Sequence, residues 1–312
     1  MADRFDVVIL GMGPGGEVAA GKLIASGKKV AVVERELIGG ECAYWACIPS
    51  KILLGPPEVR AEATRAFGTG TPTLELKDVF DYRDQMIRNL DDSGQVESYE
   101  GKGATVVKGA GRLAGPGRVE VDGRTLEAEH VIVATGAEPH RPWWVPQDVQ
   151  NVCDIRDVLA GAASPSGAVV VIDEIGFHHA TSVAELLADR GCSVEIVTPG
   201  MVVGQDLGIT LDMENWWMRA TAKGIVQSTD LVPMGLTGNE LSLLHHPTGA
   251  MLTRIPDWVV LAVPGSPVEW LYNDLKSAGV SVERVGDCVA PRRAHAAVVD
   301  GERAGARVGA PA

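Results

Sequence analysis

The sequence predicts an α/β protein with two Rossmann-like, three-layer (ββα) domains, the second inserted into the first. Two strand–loop–helix–strand patterns carry this prediction, one beginning at Val7 and the other at Val169. The composition agrees, because 37 glycines, 46% hydrophobic residues and 5% aromatic residues suit a fold with many tight turns between strands and helices. A chain of 312 residues is long enough for about two domains.

Composition also excludes several classes of partner. The formal charge of −13, from 28 basic and 41 acidic residues, argues against binding to nucleic acid or to an anionic membrane surface. The longest apolar runs, such as 168–172, have the length of a strand and not of a membrane span. The first predicted strand begins at Val7, which leaves no room for a signal peptide. Five cysteines are too few for a disulfide scaffold, so the sequence predicts a cytoplasmic protein without nucleic-acid or membrane partners.

A glycine-rich loop follows the first predicted strand. Gly11, Gly13 and Gly16 form the pattern G-x-G-x-x-G, and a helix and a second strand come next. The first glycine permits a tight turn, the second lets the backbone approach a pyrophosphate, and the third lets the helix pack closely on the strand. Glu34 ends the second strand, where a carboxylate can accept hydrogen bonds from ribose hydroxyls. This arrangement predicts a dinucleotide-binding domain.

Two cysteines follow this motif. Cys42 and Cys47 are separated by four residues, and five positions along a regular helix turn two side chains to different faces. Pairing of the thiols therefore requires a break in the helix, for which the two glycines at 39–40 and Pro49 are suited. A thiol near a helix N-terminus is stabilised as the thiolate. The alternative is that both cysteines are buried structural residues and that Lys51 is a surface lysine.

The segment G-G-x-C-x-x-x-x-C-x-P-S-K, placed after the glycine loop, resembles the flavin disulfide reductases: dihydrolipoamide dehydrogenase, mercuric reductase and glutathione reductase. The resemblance covers residues 5 to 140 and implies that the dinucleotide is FAD. It gives Cys42 the position of the thiol that exchanges with substrate, and Cys47 that of the inner thiol against the flavin ring. Lys51 takes the position of the cation near the flavin N5. Tyr44 and Trp45 stand where the family usually has smaller residues.

The resemblance continues in five further segments. Residues 56–100 have a helical pattern, 106–111 resembles the strand that contacts adenine, and 134–136 resembles the Ala-Thr-Gly at which the chain leaves the FAD domain. Near the end, 286–287 resembles the Gly-Asp that contacts the ribityl chain, and 293–295 opens a helix expected to face the flavin pyrimidine. The residues expected to contact FAD are Gly11, Gly13, Pro14, Gly15, Gly16, Glu34, Arg35, Gly40, Glu41, Ala110, Ala134, Thr135, Gly136, Gly286, Asp287, Arg293 and Ala294. The predicted FAD-binding domain is 1–145 plus 281–312.

The second nucleotide-binding pattern, within the predicted domain 146–280, departs from the fingerprint. Its loop contains Asp173 and Glu174, which place negative charge where a pyrophosphate should lie, and its second strand ends in Thr198 without a carboxylate. From 173 to 187, at 204–208 and at 222–224, the sequence resembles the C-terminal portion of old-yellow-enzyme-type dienoyl-CoA reductases and trimethylamine dehydrogenase. That module passes electrons between a nicotinamide or a partner and another flavin. The domain is therefore NAD(P)-binding-like with a degenerate fingerprint, which leaves NAD(P)H open as the electron donor.

Other tempting residues have simple interpretations. The segment 245–248, His-His-Pro-Thr, echoes the base motif of disulfide reductases but lies between two predicted strands, so we expect a hairpin turn. His178 and His179 have no third ligand at a suitable spacing, so no metal is expected. Cys153, Cys192 and Cys288 are expected to be ordinary thiols. The chain is also expected to lack the family's C-terminal dimerisation domain, which carries the catalytic base.

These features predict an FAD-dependent pyridine nucleotide-disulfide-type oxidoreductase with a redox-active Cys42–Cys47 pair. It would pass electrons between NAD(P)H, flavin and a small-molecule disulfide or a partner redox protein. The alternative is an electron-transfer flavoprotein subunit that works with a partner oxidoreductase and has no substrate site of its own. A partner subunit or a homo-oligomer is compatible with either hypothesis.

Overall fold

The computed structural model describes residues 2–310, which divide into two compact units. Unit 1 contains the chain up to Glu138 and again from Ser266, and unit 2 is Pro139–Gly265. The α/β fold class is confirmed, with unit 2 inserted into the sequence of unit 1. The predicted boundaries at 145 and 280 lie later than those of the structure, at 138 and 265. The second boundary comes earlier because the helix at 270–277 buries Leu271 and Leu275 in the core of unit 1.

The first part of unit 1 contains the glycine loop, both cysteines and the 3₁₀ turn Arg88–Leu90. Its elements are β1 (Asp3–Leu10), α1 (Pro14–Ala25), β2 (Val30–Glu34), α2 (Gly40–Tyr44), α3 (Cys47–Arg65), α4 (Leu76–Met86), α5 (Ser93–Gly101), β3 (Thr105–Lys108), β4 (Arg112–Leu113), β5 (Arg118–Val121), β6 (Arg124–Val133) and β7 (Ala137–Glu138).

Unit 2 contains the second strand–loop–helix–strand pattern, and the 3₁₀ segment Gln205–Thr210 follows its second strand. Its elements are β8 (Val152–Asp154), α6 (Ile155–Ala160), β9 (Ala168–Asp173), α7 (His178–Asp189), β10 (Ser193–Val197), α8 (Met213–Ala222), β11 (Val226–Ser228), β12 (Leu231–Thr237), β13 (Glu240–His245), β14 (Ala250–Arg254) and β15 (Trp258–Ala262).

The chain then completes unit 1, where the 3₁₀ turn Gly286–Cys288 precedes the last helix. These elements are β16 (Ser266–Pro267), α9 (Trp270–Ser277), β17 (Ser281–Arg284) and α10 (Ala294–Gly309).

The sheet of unit 1 has the order β3–β2–β1–β6–β5–β4, and β17 pairs with the second half of β6. The strands β3, β2, β1, β6 and β17 run parallel, whereas β4, β5 and the first half of β6 pair antiparallel. Side chains alternate between the two faces, as a strand requires. Val7 and Ile9 pack against α1, α5 and α10, while Val8 and Leu10 pack against β5 and α9. This is a three-layer arrangement.

The sheet of unit 2 is fully parallel, with the order β11–β10–β9–β15–β8. One face of β9 packs through Val169 and Val171 against α6, α7 and α8. The opposite face packs through Val170 and Ile172 against the antiparallel sheet β12–β13–β14. In both units, therefore, the loop after the first central strand opens at the carboxyl edge of a parallel sheet, where α/β proteins bind ligands.

Three local predictions can be read directly from the structure. The segment 246–249 is the turn between β13 and β14, and His245 Nδ1 lies 2.7 Å from Thr248 Oγ1, so the predicted hairpin is confirmed. Cys153 and Cys288 are buried and Cys192 is half-buried. In the part of the chain that the structure describes, no helix combines the length and the apolar character needed to span a bilayer.

Candidate active site

The glycine loop of unit 1 is built by close backbone contacts. Gly11 has φ +100°, and a Cβ on it would lie 2.3 Å from the carbonyl oxygen of Ala134. A Cβ on Gly16 would lie 2.0 Å from the carbonyl oxygen of Gly11. Above Gly13, in contrast, a Cβ would meet no atom within 4 Å, and no side chain caps the N-terminus of α1. The loop therefore forms an open cradle in which a helix N-terminus faces free space, as pyrophosphate binding requires.

Several predicted FAD contacts lie at one edge of the sheet. Leu10 pairs with Val33 and with Val133, and Val133 pairs with Arg284. The residues that follow these four strand positions therefore meet at the same carboxyl edge. They include Gly11, Glu34, Ala134 and, one residue further, Gly286. The structure brings together segments that are up to 275 positions apart in the sequence (286 minus 11).

Glu34 is buried at the end of β2. Its Oε2 accepts a hydrogen bond from the Met12 N–H at 2.7 Å, and its Oε1 accepts one from the Glu36 N–H at 2.8 Å. The carboxylate thus holds the glycine loop against the end of β2, and each oxygen retains a lone pair for a further donor. Arg35 is exposed and lies 3.4 Å from a Glu36 carboxylate oxygen.

The cysteine segment is attached directly to the glycine loop. The Gly39 N–H donates to the Met12 carbonyl at 2.8 Å. Gly40 has φ +56°, and a Cβ on it would lie 2.7 Å from the Gly13 Cα. A residue with a side chain would push the two loops apart at this point. The position of Cys42 is consequently fixed relative to the dinucleotide cradle.

The helix break that the cysteine spacing requires is present. Cys42 lies in α2, which ends at Tyr44, and Cys47 is the first residue of α3. Cys42 and Cys47 are half-buried free thiols, and Cys47 is one of the neighbouring groups that raise the pKa of Cys42. Tyr44 is 2% exposed and packs in the site, whereas Trp45 is 47% exposed. The break thus places the two cysteines in separate helices, as their spacing requires.

The electrostatic environment of Cys42 favours the protonated thiol. Burial, the neighbouring Cys47 and the charge of Glu17 together raise the pKa of Cys42 to about 12, and the charge of Lys51 acts in the opposite direction. Lys51 is exposed on α3. The lysine therefore supports the thiolate of Cys42, which is the nucleophilic form.

Sequence reasoning missed three residues around Cys42. Glu17 lies in the first turn of α1, where burial raises its pKa, and it accepts a hydrogen bond from the Tyr99 hydroxyl at 3.4 Å. Arg88 has φ 53° in a left-handed turn. Burial raises the pKa of Glu17 and of Tyr44, and the charge of Arg88 opposes both increases. Of these three residues, only Glu17 could have been assigned to the site from the sequence, because it directly follows the third glycine of the loop.

At the opposite side of the cradle, the Gly286 N–H donates to Asp300 Oδ2 at 3.3 Å. Asp287 Oδ1 accepts from the Arg292 N–H at 3.2 Å, and burial raises the pKa of Asp287. Helix α10 begins at Ala294, preceded by Arg293, and no side chain caps its N-terminus. Contact of Asp287, Arg293 and Ala294 with a flavin stays a prediction.

The remaining predicted contacts lie on connecting segments. Thr135 Oγ1 donates to the Val268 carbonyl at 2.6 Å, so its hydroxyl already has an acceptor. Gly136 has φ +74° and accepts from the Val268 N–H at 3.0 Å through its carbonyl. Ala110 follows β3 and is exposed, and Glu41 is exposed at the start of α2.

We expect Cys42 of the reduced protein to be alkylated slowly at neutral pH. Because only the thiolate reacts, the rate should climb through pH 10 without a plateau, whereas an ordinary cysteine, with a pKa of about 8.5, levels off above that value. The free energy of unfolding should decrease as pH rises from the ordinary thiol range towards the raised pKa of about 12, because the folded protein holds this proton more tightly.

Iodoacetamide labelling followed by peptide mass spectrometry measures this rate. Glu17→Gln should speed alkylation of Cys42 and Lys51→Met should slow it, since each removes one charge that acts on the thiol. A rate that levels off near pH 9 in the wild type would contradict the described environment of Cys42.

An open glycine cradle at the carboxyl edge of a parallel sheet, attached to a segment that carries two half-buried cysteines, defines the class of dinucleotide-binding α/β proteins. The chain belongs to the pyridine nucleotide-disulphide oxidoreductase family, whose model matches residues 5–207. Members of this family are FAD-dependent oxidoreductases. Unit 1 fits FAD, because the glycine cradle is open above Gly13 and the carboxyl edge carries the predicted contacts.

Similar proteins include a relative found by sequence and two solved structures. Dihydrolipoyl dehydrogenase of Zymomonas mobilis is 33% identical over 207 residues, which are 63% of this chain and 43% of that protein. The chain thus spans less than half of that relative's length. LpdA of Mycobacterium tuberculosis matches 98% of this chain and 72% of its own, with a TM-score of 0.64 and 21% identity. Histamine dehydrogenase of Rhizobium sp. 4-9 matches 100% of this chain and 45% of its own, with a TM-score of 0.63 and 21% identity. Both structures share the fold of this chain.

Proposed function

We propose that this chain is an FAD-dependent oxidoreductase in which Cys42 and Cys47 form a redox-active pair. The observation that carries the proposal is the attachment of the cysteine segment to the dinucleotide cradle, through the Gly39–Met12 hydrogen bond and the contact of Gly40 with Gly13. This attachment supports a position for the thiols beside the cofactor that the cradle would hold.

The pair would act by thiol–disulfide exchange. The Cys42 thiolate attacks one sulfur of a substrate disulfide, which forms a mixed disulfide and releases the first thiolate. Cys47 then attacks the Cys42 sulfur, so that the Cys42–Cys47 disulfide forms and the second thiolate leaves. The two protons of the pair pass to the released thiolates, and two electrons move from the pair to the substrate. Bound FAD, once reduced by two electrons from NAD(P)H, would supply the electron pair that reduces the disulfide again.

The predicted site residues have distinct tasks in this proposal. Cys42 would exchange with the acceptor, Cys47 would face the flavin, and Lys51 would favour the thiolate. The cradle of Gly13 to Gly16 would hold the pyrophosphate, and Glu34 would accept from ribose hydroxyls. The expected acceptor is a small-molecule disulfide or a partner redox protein. The proposal is compatible with a homo-oligomer and with a complex that contains a partner subunit.

A second candidate function is electron transfer to a partner oxidoreductase without a substrate site. The loop at Asp173 in unit 2 favours it, because two carboxyl groups, those of Asp173 and Glu174, lie where the family's nicotinamide pattern has glycines. NAD(P)H is the donor that the family resemblance implies, but this loop does not support its binding in unit 2.

Anaerobic titration of the purified protein with dithionite separates the two functions. The primary proposal predicts one FAD per chain and an uptake of two electron pairs per FAD, one by the flavin and one by the disulfide. The second candidate predicts uptake of a single pair, by the flavin alone. A protein that binds no FAD contradicts both.

A further inference from the structure

The loop of unit 2 that corresponds to a nucleotide cradle is filled by its own carboxylate. Asp173, the last residue of β9, is fully buried. Its Oδ1 accepts from the N–H groups of Ile175 at 3.2 Å and Gly176 at 2.8 Å, and its Oδ2 lies 3.4 Å from the Gly204 nitrogen as acceptor. Backbone N–H groups of such a loop are the donors that a phosphate would use.

A second segment covers the same loop. The Asp206 N–H donates to the Gly176 carbonyl at 2.8 Å, which fixes the 3₁₀ segment Gln205–Thr210 on the loop. Leu207 of this segment is fully buried in the core of unit 2. The ring of His178, the first residue of α7, lies 3.1 Å from the Thr210 hydroxyl through its Nε2. The N-terminus of α7 is thus in contact with the 205–210 segment.

The end of the second strand also differs from that of unit 1. Where Glu34 follows β2 in unit 1, unit 2 has Thr198 after β10, buried, with its hydroxyl accepting from the Gly200 N–H at 3.2 Å. The nearby Glu195 is committed to Arg254, at 2.9 Å, and to Ser228, at 2.6 Å. The residue that directly follows this strand therefore has no carboxylate for an adenosine ribose, in contrast to Glu34 of unit 1.

We infer that unit 2 does not bind a nicotinamide dinucleotide, because the Asp173 carboxylate takes the place of the pyrophosphate and the 205–210 segment covers it. A bound pyrophosphate would have to displace a buried carboxylate from three N–H donors and would bring two like charges together. The loop acts instead as an internal lock that joins β9, α7 and the 205–210 segment. Any reaction of NADH or NADPH with the flavin would then occur without saturable binding in unit 2.

Backbone amide hydrogen exchange, resolved by residue with NMR on the perdeuterated protein, tests this inference. Millimolar NADH, NADPH or ADP, each added separately in the presence of excess FAD, should leave exchange at 173–181 and 204–210 unchanged. Protection of these amides by any of the three nucleotides would overturn the inference. Because the signal comes from amides of unit 2, it is independent of whether the cysteine pair is redox-active.

The same measurement tests the lock through a variant. Asp173→Ala should speed exchange of the Ile175 and Gly176 amides at least tenfold, while the matched control Asp189→Ala, at an exposed position of α7, should leave them unchanged. Asp173→Asn keeps the shape of the side chain and one accepting oxygen, and it replaces the alanine variant if that variant does not fold. It should give a smaller increase in the exchange rate of the two amides. Unchanged exchange at both amides in the asparagine variant, or in a folded alanine variant, would show that the carboxylate does not hold the loop.

Discussion

Replacing Cys47 by serine is expected to abolish the dithiol chemistry while FAD binding is retained. Serine has nearly the same size and leaves the glycine cradle intact, but it cannot form a disulfide with Cys42. Electron uptake should fall from two pairs to one pair per FAD, and reduction of a disulfide substrate should fall by about 1000-fold or more, as for loss of a catalytic nucleophile. Anaerobic titration and a disulfide-reduction assay measure the two effects.

Two matched variants make this result specific. Cys42→Ser leaves the Cys47 thiol in place, so a long-wavelength charge-transfer band should be visible in the oxidised protein, whereas Cys47→Ser should show none. Cys192→Ser removes a half-buried thiol of unit 2 whose Sγ contacts the Pro165 carbonyl at 3.4 Å, and should behave as the wild type. A charge-transfer band that persists in the Cys47→Ser variant would show that Cys47 is not the thiol beside the flavin.

Gly16→Ala is expected to destabilise unit 1 strongly and to prevent FAD binding. The added Cβ would lie 2.0 Å from the Gly11 carbonyl oxygen, which belongs to the backbone and has no flexible end to move away. The loop and α1 must therefore separate, at a cost on the order of 3 kcal/mol. Chemical denaturation measures the free energy of unfolding, and fluorescence of bound flavin reports the loss of the cofactor.

Gly21→Ala is the matched control on the same helix. Gly21 is exposed in α1, and a Cβ there would meet no atom within 4 Å. Alanine should raise the free energy of unfolding by about 1 kcal/mol, because it favours the helix over glycine, and FAD binding should be unchanged. Similar losses in both variants would contradict the close approach at Gly16.

Local spacing was sufficient to predict the strand–loop–helix–strand of unit 1. The close contacts that require glycine at these three positions are made within a few residues or with a neighbouring strand. The pattern alone therefore indicates the loop. The five-position separation of Cys42 and Cys47 likewise predicts a helix break, and α2 and α3 are divided at that place. In both cases the steric or geometric constraint acts between residues that are close in the sequence.

Contacts between distant residues could not be predicted in this way. Nothing near Glu17 in the sequence indicates that Tyr99 donates to it, and nothing near Asp173 indicates that Gly204 approaches its carboxylate. The predicted second boundary, at 280, differs from the division after Gly265 in the structure, because the amphipathic pattern of helix α9 suits either unit. Only the three-dimensional packing of Leu271 and Leu275 assigns it to unit 1.

The contrast between the two loops explains how one chain can carry two similar patterns with different uses. The cradle at Gly13 is open and has no carboxylate within the loop itself, whereas the loop at Asp173 satisfies its own donors. The first is suited to an external anion, and the second stabilises its own unit.

The measurement that tests the central claim most directly is the visible spectrum of the FAD-loaded protein after anaerobic addition of one two-electron equivalent of reductant. The account predicts that a long-wavelength band grows while most of the oxidised-flavin absorption remains, since the electron pair resides on Cys42 and Cys47 with a sulfur beside the flavin. Bleaching of the flavin in direct proportion to the added electrons, with no such band, would contradict it.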